Sequence, residues 1–303
     1  MLTPFTLTPL TPTLFLHQIE LGTYAHWLAQ GHDPTFFFQN LTDQMARQGQ
    51  RVVHVWSDVV KQKPIIVASR LAALRGESIR VPGRLTQVRR IDKATAMAFL
   101  AEHHLQVPLP GKVRYGLFLP ERYYRVLPTP PPAPPLNEGE GARLPLSTEG
   151  STGMLPSPSL RGGAGGGGNN ELLLAVATFA QPRQMKQDTQ PYRSAELLRF
   201  ANRVGFTVVG GLDKLLTTYL RNHPADDLMT YADRDWSDGA SYRKVGFEAI
   251  SDTPPQRFWV RPDELIRYSD TTLPTGVEVT NAHLLGYLPV FNAGSRKFVR
   301  RVV

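Results

Sequence analysis

The chain has 303 residues, no cysteine, 25 Gly and 26 Pro, and 34 Lys+Arg against 26 Asp+Glu, a net charge of +8. That length suits one large domain or two small ones. The absence of thiols excludes disulfides, thiolate zinc sites, iron–sulfur clusters and a cysteine nucleophile, and it suits a reducing compartment, so a cytoplasmic location is expected.

Residues 1–16 (MLTPFTLTPLTPTLFL) have no basic segment, and Thr and Pro interrupt every apolar run, so no targeting signal is read there. No run of about 18 apolar residues suits a membrane-spanning helix. Residues 1–35 are expected to be a poorly ordered extension.

The positive charge is local. It is −2 over 1–35, +9 over 36–125 (15 basic against 6 acidic), −1 over 126–170 and +2 over 171–303. Arg70, Arg75, Arg80, Arg84, Arg89 and Arg90 alternate with apolar residues, as a phosphate-contacting surface requires. A solvated helix face whose arginines pair with carboxylates elsewhere gives the same pattern.

Residues 37–48 place Phe38, Leu41, Met45 and Ala46 at helical spacing before Gly49. The β-branched run RVVHVW (51–56) predicts a buried strand, and residues 64–75, ending before Gly76, predict a helix with one apolar and one basic face. Another helix is predicted over 92–105, ending in His103 and His104, a pair that suits either an ordinary helix C-terminus or two metal ligands lacking a third. KVRYGLFLPERYYRVL and ELLLAVATFAQPR read as two strands of an antiparallel hairpin.

Between them, residues 128–170 hold 19 of the 51 Gly and Pro and no aromatic residue. They are expected to be a disordered insertion, tolerated because loop closure costs only the logarithm of loop length. PPPAPP within it is the one candidate ligand for a polyproline-binding module.

A strand over 195–201 is followed by a Gly210-Gly211 turn and an apolar helix with Leu212, Leu215, Leu216, Tyr219 and Leu220. Free amides after such a turn can bind an anion, and paired glycines equally serve close packing. A strand LMTYAD then runs into RDWSDG, a short helix ASYRKVGF, and strands around EAI and QRFWV. Asp233, Asp235 and Asp238, next to Tyr242, are carboxylates at a strand end that could accept a proton, with the tyrosine returning one. The alternative makes them turn and cap residues with Tyr242 in the core.

The run from FFFQNLTDQMARQ to RLTQVRRI resembles the back half of the very-short-patch-repair-like nuclease domain of phage and bacterial homing endonucleases. Trp56 and Asp58 match its motif. Ser57, Val59 and Val60 stand where that family is acidic or aromatic, and residues 1–35 have no counterpart of its metal-binding front half. Asp43 and Asp58 alone do not make a metal site, so a non-nuclease that keeps DNA contacts is implied, with no metal.

The order of helix, two strands, strand, Gly-turn helix, strand, short helix and strand resembles the GNAT acyltransferase fold. EHHLQ, ELLRFANRVGFTVVGGLDKLL, TYADRDWSDGASYRKVGFE and GYLPVFNAGSRKFV are similar to the domain following the nuclease in the same homing-endonuclease-like proteins. TYADRDWSDGASYRKVGF is also similar to the phage Mom DNA-modification protein.

These resemblances imply an α/β (α+β) protein with a GNAT-like, mixed, mainly antiparallel sheet and flanking helices. Its parts would be an extension (1–35), a basic helix-strand-helix module (36–90), and a GNAT-like domain (91–127 and 171–303) split by the insertion. They imply acetyl-coenzyme A at Gly210, Gly211 and Lys214, catalysis by Asp233, Asp235 and Tyr242, and duplex DNA at Arg70, Arg84, Arg89, Arg90 and Arg234. Two functions stay open, a DNA-associated protein and an acyltransferase acting on a nucleobase or small amine. A mobile-element gene without activity is the third.

Overall fold

The computed structural model describes residues 3–127, 171–187 and 190–302. The expected insertion at 128–170 lies outside them. The chain forms two compact units, Met1–Lys63 with Asp227–Val303, and Pro64–Asp226. This division replaces the expected boundaries at 35 and 90: the supposed nuclease-like module is cut at residue 63, and its strand and helix belong to different units.

The first unit opens with β1 (Thr6–Thr11) and β2 (Leu14–Ile19), an antiparallel pair, followed by α1 (Leu21–Ala29), α2 (Phe37–Arg47), β3 (Arg51–Trp56) and α3 (Ser57–Gln62). Residues 1–35 are therefore not a loose extension. Pro9 is tolerated because β1 is the edge of the sheet β1-β2-β3, where a missing N–H leaves no ladder bond unmade. Behind that edge β2 is nearly all buried and pairs in parallel with β3, Leu14 opposite Arg51 and Ile19 opposite Trp56.

Phe5, Tyr24, Trp27, Phe38 and Trp56 form the core there, with ring centroids 4.9 Å apart for Phe38 and Trp56 and 5.0 Å for Tyr24 and Trp56. Burying each such side chain stabilises the fold by about 1.5–3 kcal/mol. Three of these five aromatic residues come from residues 1–35, and that orders them.

The second unit contains α4 (Pro64–Arg75), β4 (Ile79–Pro82), β5 (Gln87–Arg90), α5 (Lys93–His103), β6 (Val113–Pro120), β7 (Glu171–Phe179), β8 (Arg183–Gln187), β9 (Gln190–Asn202), β10 (Phe206–Val209) and α6 (Gly211–Asn222). Strands β5, β6, β7 and β9 pair antiparallel in that order, β8 pairs with β9, and β4 pairs in parallel with β10. The expected hairpin is the β6–β7 pair, with Pro120 opposite Glu171. Asp92 caps α5 by accepting from Thr95 N at 2.7 Å, and Ala96, Phe99 and Leu100 turn inward against Val176 and Ala201. Helix α6 buries Leu212, Leu215, Leu216 and Tyr219, an i, i+3, i+4, i+7 stripe.

The chain then returns to the first unit with β11 (Asp227–Asp233), α7 (Ala240–Arg243), β12 (Glu248–Asp252), β13 (Arg257–Val260), β14 (Arg267–Tyr268), β15 (Leu288–Phe291) and β16 (Ser295–Arg301). Strand β16 lies between β11 and β12, antiparallel to both, and β13 lies between β14 and β15. The protein is thus α+β, with mixed, mainly antiparallel sheets and flanking helices.

Candidate functional site

The loop after β11 is held by its own acids. Asp233 Oδ1 accepts from Asp235 N at 3.0 Å, and Asp233 O accepts from Trp236 N and Ser237 N. Asp238 Oδ1 accepts from Ala240 N at 3.1 Å, opening α7. These are Asx turns, in which a carboxylate bonds the amide two residues on. Gly239, at φ 79°, lies so close to the Phe298 ring that a Cβ would come within 2.0 Å of Cζ. Tyr242 packs its ring against Phe247 and Phe298 at 5.7 and 5.6 Å.

Asp235 is 6% exposed and accepts from Ala293 N at 2.7 Å. Burial first, and then the adjacent Asp233 charge, push its carboxyl well above the ordinary range. A sheltered acid bound to a backbone amide is a bracket between the loop and Ala293, whereas the sequence suggested a strand-end base able to accept a substrate proton. With Tyr242 facing aromatic neighbours, the expected trio of Asp233, Asp235 and Tyr242 is accounted for by scaffold contacts.

Arg234, expected to face DNA, is corrected likewise. Only 5% exposed, it pairs with Asp43 and, at 3.2 Å, with Asp252. Asp252 also takes Arg296 at 2.6 Å, and Asp238 takes Arg243 at 3.0 Å and Arg51 at 3.4 Å. Thr42, Gln50, Arg51, Arg234, Ser237, Asp238 and Arg296 line a cleft of about 60 Å³, which can hold little more than water. Asp58 is buried under a two-pronged contact from Arg267, at 2.6 and 2.9 Å, and Arg267 lies over the Trp56 ring. Asp43 and Asp58 of the nuclease-like segment are therefore committed to arginines. Among the described residues no three His, Asp or Glu side chains are grouped to hold a metal ion.

Beneath the loop, His54 N donates to Asp235 O at 2.9 Å, and the imidazole of His54 meets that of His17, Nδ1 to Nδ1, at 2.9 Å. The neighbouring bonds fix the protons. Thr42 Oγ1 donates to Phe38 O, so it accepts from His54 Nε2 at 2.8 Å. His54 Nδ1 is then the acceptor, His17 Nδ1 the donor, and His17 Nε2 accepts from Thr3 Oγ1 at 2.7 Å. Burial lowers the His17 pKa to about 4, and burial with the neighbouring His17 lowers that of His54. Both rings are neutral. Nothing in the spacing of His17 and His54 announces this pair, which exists because β2 and β3 align them in register.

In the second unit Gly210 adopts φ 75° and precedes α6, as a Gly-Gly turn requires. Gly211 packs so tightly that a Cβ would come within 2.8 Å of Leu117 and Val208, and a Cβ on Gly83 would come within 2.8 Å of Val209 O. Lys214 Nζ donates to Gly83 O and Thr86 O. The lysine expected to meet a cofactor phosphate instead ties the Gly83–Thr86 turn to α6.

Of the expected DNA contacts, Arg70 is half-buried and engaged within the protein. Arg89 pairs with Glu171. Arg84 and Arg90 are exposed and, with Arg80, make no ion pair among the described residues. No family model matches the chain, and no curated protein matches it.

Proposed function

We propose that this is a DNA-associated protein with a GNAT-like core, not itself a nuclease, that holds duplex DNA by phosphate contacts from the unit Pro64–Asp226. The charge distribution carries this reading. Pro64–Asp226 has 20 Lys+Arg against 12 Asp+Glu, the chain's whole excess of +8, whereas the other unit has 14 against 14. The exposed Arg80, Arg84 and Arg90, without carboxylate partners among the described residues, are free to meet phosphates. Anisotropy with a duplex of arbitrary sequence tests it. Affinity falls steeply with salt, and Arg80→Ala/Arg84→Ala/Arg90→Ala lowers both affinity and the salt slope at any sequence, by about 0.9 per lost contact. Affinity unchanged by the triple substitution overturns the reading.

A second reading, an acyl-coenzyme A-dependent acyltransferase, is favoured by one observation. Five strands, β6 to β10, separate α5 from α6 where the GNAT resemblance has three, but from α6 through β11 and α7 to β12 the elements follow its order, with the left-handed Gly210 opening α6. Acetyl-coenzyme A at about 100 times its Kd then stabilises the protein by about 2.7 kcal/mol. An unchanged melting temperature at millimolar cofactor removes this reading.

A further inference from the structure

Within Pro64–Asp226, two neighbouring aromatic side chains bury polar atoms that have no hydrogen-bond partner, Tyr219 Oη and His223 Nε2. Tyr219 is wholly buried, its ring stacked on Phe179 at 3.9 Å and on His223 at 5.1 Å. A buried hydroxyl left unbonded costs about 1–3 kcal/mol, so such an atom calls for a ligand.

Two arginines converge on this place from different strands. Asn222 Nδ2 donates to Tyr115 Oη at 3.0 Å, which brings the end of α6 against β6. Arg90 is the antiparallel partner of Tyr115, so both side chains leave the same face of the β5–β6 pair. Arg193 is pinned beside the turn after α6 by two bonds: its N donates to Asp226 Oδ2 at 2.6 Å, and its O accepts from Asp226 N at 2.8 Å. Burial first, then the charges of Arg90 and Arg193, lower the His223 pKa and favour the neutral ring. Both arginines are exposed and make no ion pair among the described residues. Asp226, the acid of this turn, already accepts the Arg193 amide.

We propose that Arg90, Arg193 and His223, whose ring stacks on that of Tyr219, form a binding site for a phosphate group. Guanidinium forks match phosphate oxygens in pairs, a neutral imidazole adds one donor, and an anion relieves the repulsion between two unpaired cations. The site deepens the DNA-binding reading and rests on it only for the source of its phosphate, a phosphodiester of the duplex or the phosphate of a small molecule.

The test uses the full chain with isotope-labelled histidine, His223→Gln identifying the His223 ring signals. Inorganic phosphate at fixed ionic strength moves those signals, raises the imidazole pKa and raises the melting temperature, whereas chloride does none of these. Arg193→Ala reduces the response about tenfold, the loss of one charge-assisted contact. Tyr219→Phe leaves the phosphate-free melting temperature unchanged or higher, because the lost hydroxyl had no partner, and still weakens the response. No phosphate-specific response overturns the site, as does a Tyr219→Phe variant less stable without phosphate but fully responsive. A duplex that moves the same signals and binds Arg193→Ala about tenfold more weakly identifies the phosphodiester as the source. Unchanged duplex affinity in Arg193→Ala, with the response to inorganic phosphate present in the parent, identifies a small phosphate compound. Duplex binding with no response at His223 to either probe overturns this site and leaves the DNA reading standing.

Discussion

The two units differ in charge, one balanced and the other carrying the chain's whole positive excess. In Met1–Lys63 with Asp227–Val303 basic and acidic residues balance, and seven arginines, from Arg51 to Arg296, are ion-paired. In Pro64–Asp226 Arg75 pairs with Glu77 and Arg89 with Glu171, while the exposed Arg80, Arg84, Arg90 and Arg193 make no ion pair among the described residues. An arginine therefore means different things in the two places. Where carboxylates are in reach it braces loops and strands. Where they are outnumbered, arginines such as Arg80, Arg84 and Arg90 face water, open to an external anion.

Breaking one brace gives the largest effect. Asp58→Ala leaves Arg267 with no carboxylate over Trp56 and costs about 3 kcal/mol or more in denaturant unfolding, with duplex affinity unchanged; a loss below 1 kcal/mol contradicts the bracing role. Gly239→Ala is comparable, about 1–2 kcal/mol for the left-handed backbone and about 1–3 for the clash with Phe298.

The histidine pair comes next. His54→Leu strands His17 and Thr42 and costs about 1–3 kcal/mol. His17→Leu/His54→Leu costs less than the two single changes together, because both partners leave at once. The rings are neutral when folded and take protons near pH 6.5 when unfolded. Their contribution is therefore complete above pH 6.5 and lost as pH falls toward about 4, roughly 3 kcal/mol for His17 alone. Acid unfolding curves of the double variant are flatter over that window.

Asp235 has the opposite sign. Its raised pKa favours the fold below pH 3.8 and works against it as pH rises from there toward the raised value. Asp235→Asn keeps the acceptor for Ala293 N, so this variant is at least as stable as the parent at pH 7; marked destabilisation contradicts the raised pKa of the bracket. The smallest effect on stability belongs to the basic unit: Arg80→Ala/Arg84→Ala/Arg90→Ala changes unfolding free energy by about 0.5 kcal/mol or less per site while lowering duplex affinity.

Much of the fold is legible in the sequence because its signals are local. The stripes of α2 and α6, the run of β3, the hairpin strands β6 and β7 and the Gly210 turn all fall where spacing puts them. Residues 1–35 misled because Thr and Pro argue locally against order, whereas Phe5, Tyr24 and Trp27 are held by partners far along the chain. The candidate site suffered more. Asp233, Asp235, Arg234 and Lys214 have residue types that suit catalysis or phosphate binding, and only their partners, Ala293, Asp43, Asp252, Gly83 and Thr86, reveal that they are already occupied.

By itself the sequence determined the element types, the missing thiol chemistry, and an excess of positive charge lying mainly before residue 126. Periodicity, composition and net charge need no partner. Only the tertiary structure decided which charges are spent. Pairing depends on atoms a few ångströms apart but up to 209 residues distant in the chain, as in Asp58 and Arg267. The same dependence brings Arg90 and Arg193, from two different strands, near the end of α6, where neither has a carboxylate ion-pair partner among the described residues.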